Sequence, residues 1–218
     1  SPNTTVAIAV CGPAMRRIDL RLNATVARID LDGRRATGAS WHEAGARHAA
    51  RARREVILCG GTFNSPQLLQ LSGIGPGALL QAHGIETRHD LPGVGENLQD
   101  HFGIGAEYRS TVKSTVNDLY NNKLKGGLQL LRYLLFRTGP FADNGNYSNT
   151  FIRSGPGIDR PDMMVTFMAW CTDEQLKPHP FSGFTILAEH MRPNSRGHVR
   201  ITGPNPTDQP EIQFNFFA

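Results

Sequence analysis

The sequence predicts an α+β protein: a β-meander that feeds a strand–turn–helix unit, followed by an antiparallel sheet with helices on one face. Three observations carry this. β-branched and alternating runs fill residues 18–58, broken by turn signals at Asp32-Gly33 and at 43–46. The apolar run 55–59 then leads through Gly60-Gly61 into a helical segment. After residue 106, short β-rich runs alternate with Pro and Gly around one amphipathic stretch.

The chain has 218 residues, 39% apolar and 19% charged, with 11 Phe and 2 Trp, which suits a folded core and excludes wholesale disorder. Its longest apolar runs, such as 56–59 and 133–136, fall far short of the roughly 20 residues that span a bilayer, so no transmembrane segment is expected. The first ten residues lack a basic n-region and do not read as a signal peptide. The net charge is +4, and the basic cluster Arg47, Arg51, Arg53 and Arg54 reads as a solvated strand face, so nucleic acid is not an expected partner. Cys11, Cys59 and Cys171 are odd in number and widely spaced; they read as buried free thiols of a reducing, cytoplasmic compartment.

Taken in order, RIDLRLNATVARIDL forms one strand region, Asp32-Gly33 a hairpin turn and RRATGASW the return strand. RHAARARREVILC follows the second turn, and its end, EVILC, has the continuous apolar character of a buried strand. Beyond Gly60-Gly61, Ser65 suits a helix N-cap, Pro66 the first helical position and Gly73 the stop. Two adjacent glycines let a ligand approach the backbone, and a helix N-terminus offers unpaired N–H donors to an anionic or ribose-bearing cofactor. A tight βα connection packed for its own sake is the alternative reading of the same residues. A short helix is expected over 76–83, ending at Gly84, inside an otherwise irregular stretch from 73 to 105. Gly73 to Ala78 fits G-x-G-x-x-A but follows a helix, so it is not a dinucleotide turn. Leu124, Leu128, Leu131 and Leu135 lie on one face of a helix over 122–137, and that stripe is expected to be core. The runs NYSNTFIRS, PDMMVTFMAW, SGFTILAEHM, GHVRI and EIQFNFF supply the antiparallel sheet.

No zinc-type ligand pair, nucleophile elbow or phosphate-binding Walker loop is present, so no metal site is expected. His101, His190 and Asp100 are isolated candidates for acid–base work.

The run REVILCGGTFNSPQLLQLSGIG (54–75) resembles the second signature of the glucose-methanol-choline (GMC) flavin oxidoreductases. LPGVGENLQDH, RTGPF, RPDMMV and RPNSRGHVRITGPNPTDQPEIQFNFF look like further landmarks of that family in the right order, nearest to its choline dehydrogenase and alcohol dehydrogenase branch. The resemblance implies FAD as cofactor and oxidation of a small-molecule alcohol, choline-like or another primary alcohol, to the aldehyde by hydride transfer to the flavin, with the electron acceptor undefined. It implies 1–15 as a divergent leading segment, 16–105 as the second part of an FAD-binding α/β domain, and 106–218 as an incomplete substrate domain. It places the adenosine end of FAD against Val26, Cys59, Gly60 and Gly61, with Thr62 and Ser65 beside them, and Asn97 and His101 on a loop near cofactor and substrate. The family's N-terminal G-x-G-x-x-G and its C-terminal catalytic His segment have no counterpart here. The chain therefore resembles the middle of a longer enzyme, one that can be peripheral to a membrane; no catalytic residue is expected in it, and FAD is not expected to be retained by it alone. A non-catalytic ligand-binding or interaction module derived from the same fold is the alternative.

Overall fold

The structure, a computed structural model, describes residues 19–143 and 145–217; the leading segment 1–15 and Cys11 lie outside them. The described residues form two compact units, 19–99 with 195–217 and 100–143 with 145–194. In the first, β1 (Thr25–Asp32), β2 (Arg35–Glu43) and β3 (Ala46–Arg51) make the expected antiparallel meander. The β2–β3 loop is Ala44-Gly45, with φ of 51° and 80°, the double left-handed geometry that matches strand twist. Arg47 and Arg51 are exposed on β3, with Arg53 and Arg54 exposed beyond it.

The run 55–59 forms no strand, contrary to its apolar pattern: Ile57 is 76% exposed and Cys59 is exposed. A five-residue apolar run becomes a buried strand only between neighbouring strands, and no described strand pairs with it. Helix α1 (Gly61–Leu71) starts a turn earlier than Ser65 and Pro66 suggest. Its N-cap is Gly60, no side chain caps it, and Pro66 lies inside it. Gly61, at φ +78°, turns the chain straight into the helix, so the backbone overrides the Ser-Pro cap signal.

Polar side chains dock α1. Ser72 Oγ accepts from the Ile29 N–H at 2.8 Å and donates to Leu68 O at 2.6 Å, clasping the end of α1 to β1. Gln70 is wholly buried: its amide donates to Val94 O and Val199 O (3.2 and 3.0 Å) and accepts from the Ile201 N–H (2.9 Å). Gly73, at φ +84°, follows the helix end. β4 (Ile74–Gly75), α2 (Gly77–Ala82), β5 (His89–Asp90) and β6 (Glu96–Leu98) organise the stretch expected to be irregular, β4 pairing parallel with β5. β11 (Gly197–Arg200) lies between β6 and β12 (Glu211–Gln213). GHVRI and EIQFNFF thus return to the first unit instead of extending the second sheet, and buried Leu98, Val199 and Ile201 form the core there.

The second unit is a four-stranded antiparallel sheet in the order β7 (Phe102–Arg109), β10 (Gly183–His190), β9 (Met163–Met168), β8 (Asn146–Ile152). Across three of its strands Tyr108 stacks on Phe184 at a ring separation of 5.2 Å, and Phe167 meets Phe184 at a tilt at 5.4 Å. Helix α3 (Val116–Asn121) begins with a Thr115–Asp118 capping box. Its Asn117 is wholly buried, donating to Cys171 O and His179 O and accepting from the Cys171 N–H. Burial alone would raise the Asp118 carboxyl, but hydrogen bonds from Ser182 and Thr115, with the Lys125 charge, hold it below the usual carboxylate range. The Asp162 carboxyl is lowered by hydrogen bonds from the Ser154 hydroxyl and N–H. Helix α4 (Lys123–Phe136) has the expected length, but its leucine stripe is not core: Leu124, Leu128, Leu131 and Leu135 are 51–75% exposed.

Gln70→Ala removes three hydrogen bonds, two of them fully buried, and leaves the Ile201 N–H and two carbonyls without this partner. At about 1–3 kcal/mol per stranded group, the first unit is expected to lose about 3 kcal/mol or more in urea unfolding. A loss below about 1 kcal/mol would show that the amide is not the tie described here.

Candidate functional site

The first turn of α1 has a cavity on either side. The larger, about 620 Å³, is walled by Thr25, Val26 and Ile29 of β1, by residues 56–60, by Asn64, Gln67, Leu68 and Leu71 of α1, and by the loop 206–210. That volume lies within the range of small-molecule and cofactor sites, about 300–1,000 Å³. Ser72 sets the distance between β1 and α1, while Gln67 Nε2 donates to Asp208 O at 2.7 Å and holds the loop against the helix. The lining is mixed: Val26, Ile29, Val56, Leu58 and Leu71 are apolar, and Thr25, Asn64, Gln67, Thr207, Asp208 and Gln209 supply polar groups. No acidic residue occupies the first turn of α1, so its unpaired N–H groups and positive dipole end stand beside the glycine pair. A Cβ on Gly61 would meet nothing within 4 Å, so the turn is open to an approaching ligand.

The structure brings Val26, Cys59 and Gly60 to this cavity, with Gly61 next along the chain. Thr62 lines the smaller cavity instead, about 380 Å³, with Pro66, Glu96, Asn97, Leu98, Gln99 and neighbouring Gly95 and Val199. Asn97 sits there at φ +65°. Ser65 lines neither cavity and is half-buried inside α1. His101 belongs to the second unit; its N–H donates to Asp100 Oδ1 at 2.9 Å. His190 Nε2 lies 4.0 Å from Asp162 Oδ2. None of His101, His190 and Asp100 lines the larger cavity, and among the described residues no cluster of His, Cys, Asp and Glu could hold a metal. The sequence reading missed Asn64, Gln67 and the 206–210 loop. The loop meets α1 across 141 residues of chain, a distance over which no local pattern carries a signal.

Cys59 is an exposed free thiol on the cavity wall, not a buried one; Cys171 is buried, and burial together with the Glu107 carboxylate pushes its thiol up.

A family model described as GMC oxidoreductase matches residues 4–103. An oxygen-dependent choline dehydrogenase of Brucella anthropi is 38% identical over 218 residues, 98% of this chain and 39% of that protein. A formate oxidase of Aspergillus oryzae RIB40, solved in a study of FAD modification, superposes with a TM-score of 0.81 at 27% identity, over 89% of this chain and 39% of its own. An FAD-dependent oxidoreductase from Chaetomium thermophilum gives 0.70 at 25% identity, over 86% and 39%. The chain thus spans about 39% of the length of the curated relatives it matches first.

Brief treatment of the native protein with N-ethylmaleimide, read by peptide mass mapping, is expected to label Cys59 while leaving Cys171 unmodified until urea is added. A Cys59 that stays unlabelled in the native state would contradict the placement of 56–60 on an open cavity wall, and equal labelling of both would contradict the burial of Cys171.

Proposed function

We propose that the chain belongs to the GMC oxidoreductase family, whose model matches residues 4–103, and that its larger cavity holds the adenosine end of FAD. The observation that supports this most is the juxtaposition of Val26, Cys59 and Gly60 on one cavity wall beside an uncapped helix N-terminus. Val26 and the 56–60 segment present apolar surface to a purine, while Asn64 and Gln67 present amides to its polar edge and ribose. Gly61 keeps the first turn of α1 open toward a phosphate. Thr62 and Asn97, on the far side of that turn, are placed to meet the continuing cofactor. Bound FAD supplies a hydride acceptor that oxidises an alcohol to its aldehyde. We assign this chain the binding half of that chemistry, in which it holds the cofactor's nucleotide end, and none of its residues is assigned as the base. The proposed substrate of the whole protein is a small alcohol, choline-like or another primary alcohol, and His101 is proposed to lie near it.

AMP titrated into the ¹⁵N-labelled chain is expected to shift the amides of Thr25, Val26, Cys59, Gly60 and Asn64. FAD is expected to bind more weakly than about 10 μM, a free energy of roughly −7 kcal/mol or less in magnitude. The 218-residue chain with added FAD is expected to show no alcohol-dependent reduction of an artificial acceptor. Shifts centred on 146–190, or none at millimolar AMP, would contradict the assignment; turnover would contradict the division of labour.

A further inference from the structure

Of the polar side chains that line the larger cavity, Gln67 is held in one orientation. It is 8% exposed, and its Nε2 donates to Asp208 O at 2.7 Å. A backbone carbonyl only accepts, so that bond settles which end of the amide is which. The nitrogen is committed to the 206–210 loop, and the oxygen, Oε1, has no hydrogen-bond partner among the described residues. The loop is pinned on its own side as well: Thr202 Oγ1 donates to Gln209 O at 2.8 Å, and the Asp208 N–H donates to Asn205 O at 3.2 Å. Turning the Gln67 amide over would set its oxygen against the Asp208 carbonyl, two acceptors with no proton between them. Asn64, one turn earlier in α1, is exposed and has no side-chain hydrogen bond to a described residue, so its amide can turn. The rest of the lining adds acceptors and no cation. Asp208 contributes a carboxylate, and no Lys, Arg or His lines the cavity. A fixed, nearly buried acceptor without a partner is costly until a donor reaches it.

We infer that Gln67 Oε1 reads the exocyclic amino group of adenine, so that the cavity takes an amino-purine nucleotide and discriminates against purines with a carbonyl at that carbon. The inference deepens the assignment of this cavity to the adenosine end of FAD and rests on it. An amino group gives Oε1 the proton it lacks. A carbonyl there sets oxygen against oxygen, and a bare C–H leaves Oε1 unpaired; a site built around a donor rejects a ligand without one. Base choice is thus made by a residue of α1 whose other hydrogen bond holds the cavity wall in place.

Three nucleotides titrated in parallel into the ¹⁵N-labelled 218-residue chain test it: AMP, IMP and purine riboside monophosphate, which keeps the ring and lacks the amino group. AMP is expected to bind at least about tenfold tighter than either. Gln67→Met keeps the length of the side chain but neither polar group, and is expected to bring the three within about twofold of one another. Gln67→Glu keeps an acceptor oxygen and loses the bond to Asp208 O; it is expected to bind all three more weakly and still to prefer AMP. Where Gln67→Met does not fold, the wild-type ratios and Gln67→Glu decide. A residue that served only to hold the loop would weaken the three alike in both variants and leave their ratios untouched, which would overturn the inference. So would wild-type protein that binds the three equally while the amides of Thr25, Val26, Cys59 and Gly60 shift; the cavity would then still be the adenosine site, and Gln67 not its reader. AMP that shifts none of these amides contradicts the cavity assignment itself, and the inference falls with it.

Discussion

The side-chain amide of Gln70 is the constraint on which the first unit depends. It is fully buried, and an amide there without partners would be costly, so its three hydrogen bonds dictate where α1 can lie relative to residue 94 and to β11. Ser72 adds the clasp to β1, and Gln67 holds the 206–210 loop. Together these polar contacts place the first turn of α1 between the two cavities. Asn117 does the same for the second unit, joining α3 to the backbone at residues 171 and 179. Both units are thus organised by a buried amide reaching a distant stretch of backbone.

This explains how a helix whose buried residues are two glutamines can form a cavity wall. Its buried residues are Gln67 and Gln70, and its first turn is left without a side-chain cap. Pro66 deepens the effect, since its missing N–H cannot close the ladder bond to the Thr62 carbonyl. The glycine pair ahead of it keeps the backbone uncovered. The proposed nucleotide needs a slot for its base and accessible N–H groups for its phosphates, and the larger cavity lies within one turn of the uncapped start of α1.

Much of the fold was legible because local chemistry decides it. Asp32-Gly33 made its hairpin, Gly84 stopped α2 within a residue, and β8, β9 and β10 fell where the β-rich runs placed them, whereas β7, which starts in the stretch read as irregular, was not foreseen. The failures share a cause: a pattern reports which residues are apolar, not what covers them. EVILC reads as a buried strand only if neighbours flank it, and the leucines of α4 read as core only if something lies over them. Ser65-Pro66 is a valid local start signal that a positive-φ glycine overrode. Of the candidate site, Val26, Cys59 and Gly60 were within reach of the family resemblance. Gln67, Gln70 and the 206–210 loop were not, since buried glutamines look like surface residues until their backbone partners, more than 100 residues away, are known.

The cavity framed by β1, 56–60 and the start of α1 is, on this account, a nucleotide pocket, and a crystal structure with FAD bound tests that most directly. The adenine is expected against Val26 and Cys59, with its ribose beside Gly60 and Asn64. Adenine density elsewhere, with this cavity filled by ordered water, would contradict it.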